Sequence, residues 1–294
     1  MIALFGPTGV GKTDVALALA DRLRARGERP VAVSADALQV YRGLEVLTGV
    51  ASPAEQQRLE HLLVIFVPVT ETFSAGAYAE RAHTEIDALL AEGATPIVVG
   101  GTGLYLRAAL AELDLKPKPP PELRAKWERA IDERGPEALH AELARRAPWA
   151  AERVMPRDRS RLIRYLELDD LGALEPGDGD NQLWTSDMRH PTRLVGLTMD
   201  RDALYERIER RVDAMVAACA IDEVRRADAQ GASETARKAL GFQQLLDGDV
   251  AAMKTRTRQY ARRQLTWMRK LPGVELVDVT GQQPDAAAAM ILGA

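Results

Sequence analysis

The chain has 294 residues, of which 46% are hydrophobic, 28% are charged and 5% are aromatic, with a formal net charge of −4. This length is enough for one large domain or two smaller ones, and the hydrophobic share is enough for a substantial core. The single cysteine, Cys219, excludes a disulfide framework and a cysteine zinc site, and its apolar neighbours predict a small core residue. No apolar run approaches the roughly 20 residues that span a bilayer. We therefore expect a soluble cytoplasmic protein without a leader peptide or a membrane partner.

The first predicted elements are a strand, a glycine-rich loop and a helix. Residues 6–13 match the phosphate-binding pattern G-x-x-x-x-G-K-[ST], with an apolar run before them and an amphipathic stretch after them. Glycines let several backbone N–H groups converge on one anion, and the helix N-terminus adds partial positive charge. Lys12 supplies a full charge, and the Thr13 hydroxyl can bind Mg²⁺. The residues predicted to bind phosphate are Gly6, Pro7, Thr8, Gly9, Val10, Gly11, Lys12 and Thr13.

Strand and helix signals alternate up to about residue 110. The apolar runs at 31–34, 64–67 and 96–99 predict strands, and the pattern at 76–90 predicts a helix. Continuously apolar strands that alternate with helices indicate an α/β fold, in which helices cover both faces of a parallel sheet.

A proline-rich break at 116–121 changes this pattern. The signals that follow are helical only, at 123–131, 138–144 and 160–171, and a Gly/Asp/Pro loop follows at 172–180. The α/β pattern then returns: strands are predicted at 194–199 and 274–279, helices at about 202–218, 236–246 and 251–270, and an Ala-rich helix closes the chain. We predict an α/β core of residues 1–115 and 191–294 that is interrupted by an all-helical insertion at 116–190.

Two polar residues follow predicted strands. Asp36 comes after the second strand and Thr102 after the fourth, in the sequence Gly-Gly-Thr-Gly. Because ligands of open parallel sheets bind at the carboxyl ends of the strands, both are expected near the phosphate loop. Asp36 could act as a general base, coordinate a metal through water, or cap a helix that begins at Ala37. Thr102 could hold a substrate, or its loop could be a structural turn. The lack of an acid at this strand end argues against a motor-type ATPase.

A basic segment lies near the C-terminus. Residues 254–270 contain seven basic side chains and no acid, with Tyr260 and Trp267 among them. Such a segment in an acidic protein indicates a nucleic-acid partner, although a solvated helix face is the alternative. A second arginine cluster lies at 153–164. Arg207 stands in a stretch of mixed charge, whose spacing predicts a surface ion pair.

Taken together, these stretches resemble the tRNA dimethylallyltransferase (tRNA isopentenyltransferase) family. The matching residues are 6–13, 34–43, 97–106 and 257–267, with weaker matches at 161–167 and 239–244. The resemblance implies a P-loop NTPase-like core and transfer of a dimethylallyl group from dimethylallyl diphosphate to N6 of adenosine 37 in tRNA, with release of diphosphate. It implies that Asp36 is the general base, that Thr102 fixes the acceptor, and that Arg207 contacts the diphosphate.

The resemblance also implies Mg²⁺ bound at Thr13 and a flipped adenosine, as in other base-modifying enzymes. The insertion would contact the anticodon loop, and we expect a monomer. The residues expected to contact tRNA are Asp36, Ala37, Leu38, Gln39, Thr102, Ser160, Arg161, Leu162, Ile163, Arg164, Arg258, Gln259, Arg262 and Arg263.

The chain departs from the family pattern in three places. The usual Gly-Thr-Ala-Lys-Pro stretch is replaced at 47–52, the usual His-His-Leu element at 60–63, and the usual Asn-Asp pair at 157–158. These departures bear on substrate selectivity and turnover. The alternatives are an adenylate isopentenyltransferase acting on a free nucleotide, a P-loop small-molecule kinase, and a non-catalytic nucleotide-dependent RNA-binding protein. The basic segment argues against the first, because a mononucleotide needs no such surface.

Overall fold

The computed structural model describes residues 1–116, 118–176 and 182–293. Contacts divide the chain into an α/β unit, Met1–Leu113 with Leu183–Ala294, and a helical unit, Asp114–Gln182. The ends of the helical unit thus differ from those predicted for the insertion, because residues 183–190 group with the α/β unit. In the described ranges, no helix is both long enough and apolar enough to cross a membrane.

The strands of the α/β unit are β1 Ile2–Phe5, β2 Pro30–Ala35, β3 Tyr41–Arg42, β4 His61–Leu62, β5 Val67–Pro68, β6 Thr95–Gly100, β7 Arg193–Thr198 and β8 Glu275–Asp278. Six of them form the central parallel sheet, in the order β4-β2-β6-β1-β7-β8. The two short strands β3 and β5 pair in parallel with each other. The predicted α/β class with a parallel sheet is therefore confirmed.

The register of the central strands decides where the site lies. Phe5 at the end of β1 pairs with Gly100 at the end of β6, and Gly100 pairs in turn with Ala35 at the end of β2. Three strands therefore end side by side. Every residue of β1 and β2 is buried, as expected for strands with helices on both faces.

Helices pack around this sheet, and their apolar faces complete its core. Leu19 and Leu23 of the first helix are buried against β1 and the last helix, whose Ile291 belongs to the same cluster. The helices of the α/β unit are α1 Lys12–Ala25, α2 Glu45–Thr48, α3 Pro53–Arg58, α4 Ala75–Ala91, α5 Gly103–Leu110, α10 Arg201–Ala217, α11 Ala220–Ala229, α12 Phe242–Leu246, α13 Val250–Met268 and α14 Pro284–Leu292.

The helical unit has its own core. Trp127, Leu139, Leu143, Leu162 and Leu166 are buried in it. Its helices are α6 Pro121–Arg134, α7 Pro136–Arg146, α8 Pro148–Ala151 and α9 Arg159–Asp170. Of the loop predicted at 172–180, residues 177–180 lie outside the described residues.

Two predictions of local structure are wrong. No strand spans 64–67, because Leu63 and Ile65 have positive φ angles (62° and 56°) and break the extended chain between β4 and β5. Cys219 is not a core residue: it is exposed, and its φ of 66° makes the left-handed link between α10 and α11. In both places the chain changes direction through residues with positive φ angles. The apolar composition of these stretches does not reveal such a turn.

The helix predicted at 236–246 is divided. A short 3₁₀ turn covers Ala236–Lys238, and α12 begins only at Phe242. Gly241 separates them with a φ of 96°, a left-handed conformation that glycine adopts readily.

Candidate active site

The site lies at the edge of the sheet where β1, β2 and β6 end together. The phosphate loop follows β1, Asp36 follows β2, and Gly101 and Thr102 follow β6. The topology therefore brings together the groups that the sequence placed after separate strands. A cavity of about 890 Å³ opens at this edge.

Charged, polar and apolar side chains share the wall of this cavity. Its polar lining includes Thr8, Gly9, Gly11, Lys12, Thr13, Asp36, Gln39, Thr102, Arg207, Arg211, Tyr260, Arg263 and Gln264, and its apolar lining includes Ala37, Leu38, Val46, Leu47, Met215, Leu240 and Met253. A ligand that carries both a polyanion and a small apolar group matches such a wall.

The phosphate loop has the backbone geometry that anion binding requires. Gly9 and Gly11 have positive φ angles of 85° and 97°, and Gly11 is the residue before the first turn of α1. These conformations turn successive N–H groups toward one point at the positive end of a helix. Val10 belongs to the core beneath the loop and Pro7 is also buried, so these two residues can contribute only through their backbone.

Lys12 is held within the loop by its own backbone. Its Nζ donates to the carbonyl oxygens of Gly6 at 2.9 Å and Pro7 at 3.0 Å. Burial lowers the pKa of Lys12 to about 8, an effect that the charge of Asp36 opposes and that of Arg211 reinforces. An anion bound in the loop would stabilise the protonated form of Lys12 and so oppose the effect of burial on its pKa.

The loop after β6 is tightly packed. Cβ atoms at Gly100, Gly101 and Gly103 would lie 2.6 Å from the Ala35 carbonyl, 2.4 Å from Gln264 Nε2 and 2.1 Å from the Trp267 ring. These glycines therefore allow close approach of neighbouring elements, which places Thr102 between β2 and α13.

Thr102 and Tyr260 form a hydroxyl pair at the cavity wall. Their oxygens are 3.1 Å apart. Burial, followed by the charge of Asp36, raises the pKa of Tyr260, and the Arg263 guanidinium lies over its ring at 5.6 Å. The tyrosine hydroxyl consequently keeps its proton at neutral pH and can donate or accept a hydrogen bond. The sequence marked Tyr260 only as an aromatic residue within the basic segment.

Asp36 does not cap a helix, because no helix begins at Ala37. Its Oδ1 accepts a hydrogen bond from the Leu38 backbone N–H at 2.9 Å, which forms a local turn. Gln39 closes the turn: its Oε1 accepts from the Ser34 hydroxyl at 2.9 Å, and its Nε2 donates to the Gly49 carbonyl at 3.1 Å. The turn fixes the carboxylate at the cavity and leaves Oδ2 without a hydrogen bond among the described residues.

Arg207 lies against the phosphate loop. Its Nε donates to the Gly9 carbonyl at 2.9 Å, and its Nη2 is 3.7 Å from Asp14 Oδ2. The ion pair expected from spacing is therefore present, but the carboxylate belongs to the first turn of α1. A cation at this place faces any anion that the loop binds.

Arg211 and Gln264 are among the lining residues that sequence reasoning missed. Arg211 is four residues after Arg207 and therefore on the same face of α10, a spacing that could have revealed it. Gln264 is 5% exposed; its Oε1 accepts from the Thr8 N–H at 2.8 Å and its Nε2 donates to the Gly101 carbonyl at 2.7 Å. No local signal could have revealed Gln264, because its partners are 256 and 163 positions away.

The basic segment is helix α13, and one of its faces is solvent-exposed. Gln259, Arg262 and Arg263 are exposed, and Arg258 is half-buried in an ion pair with Glu209. Of these four, only Arg263 lines the cavity. The helix therefore presents cations to solvent and its buried Gln264 to the phosphate loop.

The residues of the helical unit that were predicted to contact tRNA lie at the start of α9. Ser160 and Arg161 are exposed, Arg164 is half-buried and donates to the Lys116 carbonyl at 2.8 Å, and Leu162 and Ile163 are buried in the core of that unit. The arginines of the second cluster are largely paired with carboxylates, as in Arg159–Asp132 at 2.7 Å.

Oxygen ligands for a divalent metal are few. In the described ranges, no three His, Cys, Asp or Glu side chains converge as a metal cluster. The Thr13 hydroxyl and the Asp36 carboxylate nevertheless share the cavity wall. This set suits Mg²⁺, which takes few protein ligands and binds substrate phosphates with the rest.

The fold and the site together define a phosphate-loop α/β protein with a carboxylate and an apolar wall beside its anion site. The model of the IPP transferase family matches residues 39–271. A tRNA dimethylallyltransferase of Kineococcus radiotolerans is 40% identical over 286 residues, which cover 93% of this chain and 89% of that protein.

Two solved structures are similar to the structure of this chain. The tRNA isopentenylpyrophosphate transferase of Bacillus halodurans has a TM-score of 0.71 at 31% identity and covers 99% of this chain and 94% of its own. A eukaryotic dimethylallyltransferase acting on tRNA shares the fold, with a TM-score of 0.75 at 23% identity over 95% of this chain and 74% of its own. The chain belongs to the IPP transferase family, whose curated members matched here are named tRNA dimethylallyltransferases.

Proposed function

We propose that this protein transfers the dimethylallyl group of dimethylallyl diphosphate to N6 of adenosine 37 in tRNA and releases diphosphate. The observation that supports it most is the common end of β1, β2 and β6, which brings the phosphate loop, Asp36 and Thr102 to one cavity. The cavity also has apolar walls. A prenyl group needs such walls for binding, whereas the hydrolysis of a nucleoside triphosphate does not.

The donor would be held by its diphosphate. The N–H groups of the phosphate loop, Lys12 and Arg207 surround the anion site, and the Thr13 hydroxyl would hold Mg²⁺. The metal would help to neutralise the phosphate oxygens. Fixed positive groups at this place stabilise the charge that grows on the leaving group, which is the main electrostatic requirement of the reaction.

The acceptor would enter on the side of Asp36, and its N6 would attack the donor. The lone pair of N6 forms a bond to C1 of the dimethylallyl group while the C1–O bond breaks and its electrons leave with diphosphate. Asp36 Oδ2 accepts the proton that N6 loses, since Oδ1 is engaged by Leu38 N–H. The Thr102–Tyr260 hydroxyl pair would orient the adenine.

The RNA would bind along α13. Its exposed basic face supplies backbone contacts, and the adenosine would be flipped out of the loop to reach the cavity. The start of α9 in the helical unit would add contacts to the anticodon loop. We expect a monomer to suffice.

A substrate comparison tests the proposal. The protein is incubated with Mg²⁺, labelled dimethylallyl diphosphate and one of three acceptors: unmodified tRNA, the same tRNA with guanosine at position 37, or adenosine monophosphate. We expect label only in the first. Label in the mononucleotide would support an adenylate isopentenyltransferase instead, and consumption of ATP without label transfer would support a kinase.

A further inference from the structure

Glu223 is a buried carboxylate of α11 that lies outside the lining of the cavity. Its Oε1 accepts from the backbone N–H of Val46 at 2.9 Å, and its Oε2 accepts from that of Leu47 at 2.8 Å. Both donors belong to the first turn of α2, where the N–H groups have no partner within the helix. A side chain 176 positions away from Leu47 therefore caps this helix.

The burial of Glu223 makes these two hydrogen bonds necessary. Burial raises the pKa of Glu223, the N–H groups of Val46 and Leu47 oppose that effect, and the charge of Glu45 adds to it. Burying a carboxyl group is unfavourable unless its oxygens are hydrogen-bonded. The two bonds therefore hold α11 and α2 to each other.

Helix α2 depends on such contacts because it has only four residues. A single helical turn is not stable by itself. At the C-terminal end of α2, Gln39 Nε2 donates to the carbonyl oxygens of Thr48 at 3.4 Å and Gly49 at 3.1 Å. Gln39 also closes the turn that carries Asp36. The helix is thus held at one end by Glu223 and at the other by the turn of Asp36.

This short helix supplies part of the apolar wall of the cavity. Val46 and Leu47 line the cavity, and so does Met215 of α10. A Cβ atom at Gly49 would lie 3.4 Å from Met215 Cε and 1.8 Å from Arg211 Nη2, so α2 and α10 meet at this wall. The position of α2 therefore decides how much room the wall leaves for an apolar group.

We propose that Glu223 is a positioning residue for the prenyl group of the donor: by fixing α2, it holds Val46 and Leu47 where they limit the cavity to a short prenyl chain. This inference rests on the proposed function. The prenyl group is bonded to the diphosphate and reacts beside Asp36, whose turn anchors α2. The stretch 47–52, where the chain departs from the family pattern, begins within this wall. Glu223 does not touch the substrate, and no proton moves to or from it.

A comparison of two ligands tests the assignment. Calorimetry in the presence of Mg²⁺ and the absence of tRNA measures the affinities for dimethylallyl diphosphate and for inorganic diphosphate. We expect Glu223→Gln to weaken the first at least about fivefold, because only one of the two N–H groups keeps an acceptor, and to leave the second within about twofold. Asp222→Asn is the matched control, since Asp222 is an exposed carboxylate of the same helix outside the cavity.

Selectivity between donors of different length gives a second readout. Transfer to unmodified tRNA is measured with dimethylallyl diphosphate and with geranyl diphosphate. We expect the ratio of the two kcat/KM values to fall at least about fivefold in Glu223→Gln and in Val46→Ala, because a displaced or shortened wall admits the longer chain. Val46→Ala leaves the carboxylate in place, so it decides the question if circular dichroism melting shows that Glu223→Gln is unfolded.

The outcomes separate this inference from the proposed function. If the wild-type protein transfers no dimethylallyl group to tRNA, both fail. If it does, and Glu223→Gln matches it in both affinities and in donor selectivity, only the inference fails. Equal weakening of both ligands would also overturn it, because Glu223 would then support the whole site. Unchanged affinity and selectivity in Val46→Ala would overturn it as well, because α2 would then not contact the prenyl group.

Discussion

The Gln264 side chain accepts a hydrogen bond from the backbone N–H of Thr8 at 2.8 Å, and so joins helix α13 to the phosphate loop. Its amide also donates to the Gly101 carbonyl, in the loop that carries Thr102. One buried side chain therefore holds the proposed donor loop and the proposed acceptor loop to the helix that carries the exposed arginines. The relative position of the two substrates depends on this amide.

Replacing Gln264 should impair the chemical step more than it impairs the binding of tRNA. Gln264→Glu keeps the acceptor for Thr8 but places a carboxylate against the Gly101 carbonyl, and Gln264→Leu leaves both backbone groups unsatisfied, at a cost of about 1–3 kcal/mol each. We expect kcat to fall at least about tenfold in both variants, with a smaller change in KM for tRNA, because misplacement of reacting groups acts on the chemical step. Steady-state kinetics with both substrates measure this split, and Thr266→Ala, an exposed neighbour, is the control. A variant with a lowered melting temperature but normal kcat would show a purely structural role.

Replacing Asp36 should remove transfer and preserve binding. Asp36→Asn retains an Oδ1 that can accept from Leu38 N–H, so the local turn persists while the proton acceptor is lost. We expect single-turnover prenyl transfer to fall by about 10²–10⁴-fold, the range typical of a general base. Filter binding should show tRNA affinity within about twofold of wild type. Transfer at the wild-type rate would exclude Asp36 as the base.

Lys12 should make diphosphate binding depend on pH. Burial lowers its pKa to about 8, so the free site carries this charge below pH 8 and loses it above. We expect affinity for diphosphate to fall as the pH rises from 7 to 9.5, compared with Lys12→Arg, which stays charged over this range. Calorimetric titrations at several pH values give the comparison; parallel curves for the two proteins would contradict it.

Lys12 should also make the stability of the fold depend on pH, and stability should rise with pH where diphosphate affinity falls. Because the folded pKa of Lys12 lies below its unfolded value of 10.5, the unfolded state binds more protons between about pH 8 and 10.5. Its contribution to the free energy of unfolding therefore increases as the pH rises through that window and is constant below it. Urea unfolding of wild type and Lys12→Met at pH 7.5 and 10 measures both free energies of unfolding, and wild type should gain stability relative to Lys12→Met between these two pH values.

The exposed arginines of α13 should control the salt dependence of tRNA binding. Arg262→Gln and Arg263→Gln each remove one exposed cation. If each contacts a phosphate, each substitution should reduce the slope of log K against log salt by roughly 1 and weaken binding to all tRNA sequences alike. Arg225→Gln is the control, since Arg225 is an exposed arginine of α11 outside the cavity. A slope unchanged in both variants would show that the face does not contact RNA.

Much of this architecture is readable in the sequence because its causes are local. The phosphate loop requires glycines at fixed spacing, buried parallel strands require continuous apolar runs, and a proline-rich stretch interrupts the pattern. Asp36 and Thr102 could be singled out because each directly follows a strand. The errors at 64–67 and Cys219 occurred where positive φ angles redirect the chain within apolar sequence.

By itself, the sequence determined the fold class, the phosphate loop and the residues at the strand ends. Only the tertiary structure decided which distant side chains complete the site: Gln264 beneath the phosphate loop, Tyr260 beside Thr102, and Arg211 against Gly49. Hydrogen bonds and close contacts between such residues depend on how α10 and α13 pack against the sheet. That packing is set by the whole core, and no spacing within a single segment records it.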